Sequence, residues 1–456
     1  MKKYKYLINI LLIITILSSF LCPTEAFAAA NTVPKVHAHA YIVMDANSGK
    51  ILLKQNANKR IYPASTAKLM TAIVSIESKN AGKNIKTSAK VLRKIPSDAS
   101  TVHMPAGVSY TFTSLLHMLL IASAADAAQT LAVGTYGSTN KFIHQMNHKA
   151  KELNMTHTSF DNTIGLDIGN HYYKTYTTAS DFAILARYAM SKKAIRNIVA
   201  KKNYIIPKTR KSKRQTIKST NLFYSTAPYS KNLYQIIGTK TGTTNAAGKV
   251  LIVTAKDNKG HEVICAFFGN STKTALYQDI KKLLDYTFKN YKNGNITLSK
   301  GFYDTRFTKY ESLIRNYYNK GQLSGSSDGE FKPKDKVTES AFINTMKAIS
   351  NAELQPMDSK KKITILDFSE ILDEAYPAQI SDDDYDVIVP KLTSDKELST
   401  DEYKSLVALY TSNLLPDNIT FDVDTCLTKV DMVIIADKMI DFVNNYEANP
   451  VSDSGE

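Results

Sequence analysis

The distribution of strand-like runs constrains this chain more than any other feature. Near the start, "AYIVMDANSGKILLKQNA" holds two alternating apolar runs joined at Asn47-Ser48-Gly49, which predicts a β-hairpin. Strand signals return only late, in "LYQIIGTKTGTT", "KVLIVTAKD" and "HEVICAFFG", the last two joined by the turn Asn258-Lys259-Gly260. Between them the apolar spacing is helical. "YPASTAKLMTAIVSIESK" has Pro63 where a helix can begin and continues through Leu69, Ile73 and Ile76, and further helices are predicted over Phe112–Ala132, Lys141–Lys151 and Thr178–Lys192. The order ββ, helices, βββ predicts an α/β (α+β) fold: one antiparallel five-stranded sheet made from both ends of the segment, with the helices covering a face and forming a helical lobe. Such a split sheet leaves a cleft between sheet and helices.

At 456 residues the chain is long enough for two or three domains, and its charge divides it. Basic residues exceed acidic ones by about 29 before residue 300, and acidic exceed basic by about 13 after it. The opening "MKKYKYLINILLIITILSSFLCPTEAFAAA" reads as a basic n-region, an apolar h-region and the cleavage site Ala26-Phe27-Ala28. Its apolar run falls short of the roughly 20 residues of a spanning helix. The expected organisation is a signal peptide over 1–28, a basic domain over 29–298 and an acidic domain over 299–456. Cys22 belongs to the leader, and Cys265 and Cys426 stand far apart, so no disulfide framework is expected. An exported chain rich in Lys, Asn and Tyr points to the envelope of a Gram-positive bacterium. No nucleic-acid motif accompanies the basic charge, which suits an anionic wall polymer or membrane surface, and "KTRKSKR" reads as a solvated loop.

Ser65 and Lys68 in "PASTAK" stand three apart at a helix start, so both share one face. An alcohol becomes nucleophilic when a neighbouring base takes its proton, and a lysine whose pKa is lowered by burial and nearby cations can do so. SxxK alone is a weak signal. In "GTKTGTT", Lys240 and Thr241 offer a cation and a hydroxyl to a carboxylate from a predicted strand, and Gly242 permits close backbone approach. The two motifs, in this order and enclosed by the split sheet, jointly fit a penicillin-binding serine acyltransferase.

Over roughly residues 35–295 the chain resembles the low-molecular-weight penicillin-binding proteins, the serine-type D-alanyl-D-alanine carboxypeptidases. "VMDANSGKILLKQNANKRIYPASTAKLMTA", "FDNTIGLDIGNHYYKTYTTASDFAILARYAM" and "GTKTGTTNAAGKVLIVTA" are similar to that family's landmark segments, in its order. The resemblance implies a penicillin-binding-protein/β-lactamase-like transpeptidase fold. It implies that a peptidoglycan stem peptide ending in D-Ala-D-Ala acylates Ser65, with Lys68 as general base. Lys240 and Thr241 would hold the terminal carboxylate, the backbone N–H groups of Ser65 and Thr243 would form an oxyanion hole, and β-lactams would act as covalent inhibitors. No cofactor or metal is implied. "GLDIGNHYYKTYT" lacks the deacylating glutamate that class A β-lactamases carry there, so β-lactam hydrolysis is expected to be slow.

The family's S-x-N element falls at "SAADAA". Ser123 matches its serine, a proton relay by resemblance, but Ala125 stands where the asparagine belongs. Loss of that amide is expected to lower turnover on the order of 10- to 1000-fold, and Asp126 is expected to be structural. This leaves a catalytically weak penicillin- or wall-binding protein as the alternative, and a crosslink-cleaving or crosslink-forming enzyme as a third reading. His103, His117 and His171 show no metal-ligand spacing and are expected to be core or surface histidines, while Met70, Met104 and Met118 pack the lobe. After residue 300, "SSDGEFKP" with "TESA" and "ITFDVD" with "TKVD" resemble degenerate S-layer homology repeats, with a third copy near "ITILDFSEILDEAY". That resemblance implies a mainly helical domain binding a secondary wall polymer, although Glu339 and Lys429 replace the family arginine.

Overall fold

The computed structural model describes residues 32–167, 174–355, 360–388 and 397–448. The leader 1–28 with Cys22, and His171, lie outside the described residues. The early hairpin is β1 (Ala40–Asp45) paired with β2 (Ile51–Gln55), and its turn is held by Asp45, whose carboxylate accepts the Asn47 N–H at 2.9 Å and the Ser48 hydroxyl at 2.7 Å. The late strands are β3 (Gln235–Thr244), β4 (Gly248–Lys256) and β5 (Glu262–Asn270). All pairings are antiparallel in the order β2-β1-β5-β4-β3, so the first and last parts of the segment 40–270 close one sheet through the β1–β5 ladder. The Lys240 strand is thereby placed at one edge.

Alternation along β5 decides what each sheet face meets. Ile264, Ala266 and Phe268 enter the core shared with the helical lobe, while Val263, Cys265 and Phe267 face the other way, towards the 20-residue helix Lys273–Lys292, which the sequence reading did not identify. Cys265 is a buried free thiol there, and Cys426 is also free.

Two expectations need correction. The helix read from Pro63 begins as a 3₁₀ turn, Ala64–Ala67, and becomes α-helical only over Lys68–Ile76 (α1). The helix read over Phe112–Ala132 is two helices, α2 (Phe112–Ile121) and α3 (Ala125–Tyr136), because Ser123 between them takes a left-handed φ of +61°. Apolar periodicity continues through this stretch because both helices bury nearly all of their surface, so the pattern carries no mark of the break. The remaining lobe helices, α4 (Thr139–Glu152) and α5 (Ala179–Ala189), lie where expected, each capped by a hydroxyl, Ser138 and Thr178. The basic "KTRKSKR" stretch is the mostly exposed connection of a two-stranded ribbon, Asn203–Ile206 with Gln215–Lys218. Met70, Met104 and Met118 are buried in the lobe, and His117 stacks on Tyr204 and bonds the Thr113 carbonyl.

The described residues from His37 to Ala448 form one compact unit with two separate hydrophobic cores. The second core begins at Phe302 and is helical, built on α6 (Glu311–Asn319), α7 (Glu339–Ser350), α8 (Ile365–Ala375), α9 (Thr400–Thr411) and α10 (Lys429–Ala448). At its centre three short segments close a ring of backbone bonds. Val337 N–H donates to Leu427 O, Leu427 N–H to Ile363 O, and Ile363 N–H to Val337 O, at 2.9–3.1 Å. In each segment the next residue is a threonine, Thr338, Thr364 or Thr428, whose hydroxyl accepts an N–H three residues on, in the first turn of the following helix. The stretch "ITILDFSEILDEAY" supplies the Ile363 member of this ring.

A buried charge network joins the two cores. Glu262, at the start of β5, accepts from Arg196 and from Arg306 Nη2 at 2.7 Å, and the same Nη2 donates to Asn47 Oδ1 at 2.7 Å. Arg187 of α5 pairs with Glu311 of α6. Two guanidinium partners outweigh the burial of Glu262 and hold its carboxyl down at about 2.

Candidate active site

Ser65 sits on the 3₁₀ turn, where three residues complete one turn and the side chains of residues 65 and 68 eclipse. Lys68 Nζ donates to Ser65 Oγ at 2.9 Å and to the Ile164 carbonyl at 3.3 Å. Lys68 is 2 % exposed. Burial strips water from its ammonium and lowers its pKa to about 7, against the opposing attraction of Asp126. The Ser65 hydroxyl is thus in contact with an amine whose pKa is brought close to neutrality.

Lys240 comes from the edge strand β3 and is 1 % exposed; its Nζ donates to Ser123 Oγ at 3.0 Å and to the Thr241 carbonyl at 2.9 Å. Burial first, and the neighbouring Lys68 charge second, press its pKa well below the usual lysine value. Ser65 with Lys68, from one turn, and Ser123 with Lys240, from the α2–α3 break and the far edge of the sheet, therefore form two hydrogen-bonded pairs whose lysines are close enough for one charge to act on the other. Thr241 Oγ1 lies 2.6 Å from Thr220 Oγ1, a partner the sequence reading missed. Gly242 explains the fit of strand to turn. A Cβ there would stand 3.0 Å from Ala64 Cβ and 3.1 Å from Ser65 N.

Two cavities, of about 220 and 250 Å³, open on either side of Ser65. The first runs past Ser123, Thr241 and Gly242 towards Leu222, Lys273 and Tyr277. The second runs past Lys68 and Asp98 to Ile164, Leu166 and Asn245. Ser65, Thr243 and Ser100 border both. The loop bearing Ile164 is pressed onto the 3₁₀ turn that carries Ser65, for a Cβ on Gly165 would fall 1.8 Å from the Ala64 carbonyl oxygen. Farther along, the Asp167 carboxylate accepts the Thr244 hydroxyl at 2.5 Å, tying that loop to β3.

Asp126 is 2 % exposed and accepts from the N–H groups of Val102 and Met104, at 3.1 and 3.0 Å, as well as from Ala127 N–H at 3.0 Å. It anchors the 95–104 loop to α3. Ala125 is fully buried, and its N–H donates to the Ser100 carbonyl at 2.7 Å.

A family model described as D-alanyl-D-alanine carboxypeptidase matches residues 27–272. The chain is 32 % identical over 260 residues to the D-alanyl-D-alanine carboxypeptidase DacF of Bacillus subtilis, covering 56 % of this chain and 63 % of that protein. It is 32 % identical over 280 residues to DacC of Escherichia coli, covering 59 % and 66 %. Both relatives are thus matched over slightly less than two thirds of their length. The carboxypeptidase of Streptomyces sp. strain K15 is 30 % identical over 275 residues, with 57 % of this chain and 90 % of that protein covered. A crystal structure of a mutant of the Streptomyces K15 DD-transpeptidase superposes with a TM-score of 0.51 at 30 % identity, covering 56 % of this chain and 99 % of that one.

Proposed function

Since the chain belongs to the D-alanyl-D-alanine carboxypeptidase family, we propose that it removes the terminal D-alanine from peptidoglycan stem peptides through an acyl-enzyme on Ser65. Neutral Lys68 accepts the Ser65 proton as Oγ bonds to the penultimate carbonyl carbon, and the resulting oxyanion is held by the N–H groups of Ser65 and Thr243. Lys240 and Thr241 hold the terminal carboxylate. Collapse breaks the C–N bond, and the leaving amine takes a proton delivered from Lys68 by way of Ser123. Water then adds to the ester, gives a proton to Lys68, and returns Ser65 to its hydroxyl form. The observation that carries this reading is the 2.9 Å contact between Ser65 Oγ and a lysine whose pKa burial lowers to about 7.

Incubation of the purified chain with a fluorescent penicillin should label Ser65, and incubation with a D-Ala-D-Ala pentapeptide should release D-alanine. No label on Ser65 sinks the mechanism. β-Lactams are expected to form a long-lived adduct, since the one carboxylate in the loop after Gly165 whose placement is described, Asp167, is engaged by Thr244.

One observation favours a second reading. Ala125 presents a fully buried methyl group where the family places an amide, which suits a penicillin- or wall-peptide-binding protein of low turnover. Label without D-alanine release supports that reading, and recovery of release in Ala125→Asn assigns the defect. Release of monomers from crosslinked dimers would instead mark an endopeptidase.

We further propose export through the leader over 1–28 and retention at the wall by residues 299–456 binding a secondary wall polymer. The ring of three equivalent segments supports a repeat-built domain. The full chain should sediment with purified walls and fail to do so once the polymer is extracted; equal sedimentation with both rules the polymer out.

A further inference from the structure

The substitution at Ala125 removes a hydrogen-bonding group from the cleft, and the molecule places another beside it. Ser100 stands on the 95–104 loop. Its carbonyl accepts the Ala125 N–H at 2.7 Å, so its backbone is fixed to the first residue of α3. Asp126 holds the same loop through Val102 and Met104, two and four residues farther on. Ser100 is therefore pinned to the very helix start that carries the substitution.

Its side chain is exposed, and Ser100 borders both cavities that meet at the nucleophile. Only Ser65 and Thr243 share that position among the residues of those two cavities. Among the other hydroxyls near the reacting centre, Ser123 is engaged by Lys240, Thr241 by Thr220 and Thr244 by Asp167, while Thr243 is carried by strand β3 rather than held at the start of α3. The hydroxyl of Ser100 has no partner among the described residues, which leaves both its donor and its acceptor capacity for a bound molecule.

We propose that Ser100 is a substrate-binding residue that hydrogen-bonds the amide on the acyl side of the scissile bond, taking over what a side-chain amide at position 125 would do. This rests on the acyl-enzyme reading above. A hydroxyl suits this task because it can serve either end of that amide, donating to the carbonyl or accepting from the N–H. The bonds to Ala125 and Asp126 hold the loop backbone before substrate arrives, so little backbone freedom is lost on binding.

The test compares second-order acylation of Ser65, followed by intact mass, using benzylpenicillin and 6-aminopenicillanic acid. The first carries an acylamino group beside the reactive carbonyl, and the second has a free amine there. Ser100→Ala should slow acylation by benzylpenicillin roughly 3- to 10-fold, the worth of one neutral hydrogen bond. It should leave the rate with 6-aminopenicillanic acid within about 2-fold, and Ser100→Thr, which keeps the hydroxyl, should restore the benzylpenicillin rate. A shared loss with both compounds, or no loss with either, overturns the inference while leaving the acyl-enzyme reading intact. A wild-type chain that acquires no mass from either compound removes both. Unchanged melting temperatures of the variants exclude misfolding as the cause.

Discussion

The lowered pKa of Lys68 predicts the shape of the acylation rate against pH. A lysine serves as general base only when neutral, so the rate rises with pH through the folded-state pKa and levels above it. With that value at about 7, about one tenth of Lys68 is neutral at pH 6 and about nine tenths at pH 8. The second-order rate of Ser65 labelling by penicillin should therefore rise roughly tenfold between these values and then flatten. An unperturbed lysine, with a pKa of about 10.4, would give a hundredfold rise over the same interval and no plateau. Lys68→Arg replaces the base with a guanidinium that stays protonated and should lower the rate on the order of 10²- to 10⁴-fold. A rate that is flat from pH 6 to 8, an unbroken hundredfold climb, or an arginine variant within tenfold of the wild type would refute the assignment of Lys68 as a desolvated base.

Three further outcomes follow from the packing. Asp126→Asn removes the attraction that partly sustains the Lys68 charge, so the midpoint of the same pH profile should move below 7; an upward move would contradict this. Glu262→Gln leaves Arg196 and Arg306 buried without their anion and should lower stability by about 3–5 kcal/mol in urea unfolding, compared with less than about 1 kcal/mol for a surface pair. The Glu262 pKa is depressed on folding, so its contribution is present above about pH 4.5 and is lost as pH falls through about 2; in the Gln variant this acid loss should be absent. Gly165→Ala forces a methyl group to within 1.8 Å of the Ala64 carbonyl at a φ of +80°, and should abolish penicillin labelling; retained labelling would show that the loop does not press on the nucleophile turn.

Features set by neighbours along the chain were legible in advance. The hairpin at Asn47-Ser48-Gly49, the three late strands and the threonine- and serine-capped helices depend on local turn chemistry and apolar period, and they lie within a few residues of their expected positions. The Phe112–Ala132 stretch gives no sign of its break because a left-handed residue between two largely buried helices interrupts the backbone without interrupting the hydrophobicity. The long helix Lys273–Lys292 lay outside the expected elements, and its apolar side covers one face of the sheet.

The amino-acid order by itself determined which groups could react and how some of them meet. Ser65 and Lys68 are three residues apart on one turn, and helical geometry alone brings them together. Ser123 and Lys240 are separated by 117 residues and touch only because β1 pairs with β5, closing the sheet and placing β3 beside the break between α2 and α3. The same closure desolvates both lysines and lowers the pKa of each, which for Lys68 is the property that the proposed role of base requires. Ser100 has no signature in the chain at all. Its place at the junction of two cavities comes from one backbone bond to Ala125 and from the grip of Asp126 on its loop, contacts between segments more than 20 residues apart that no local pattern encodes.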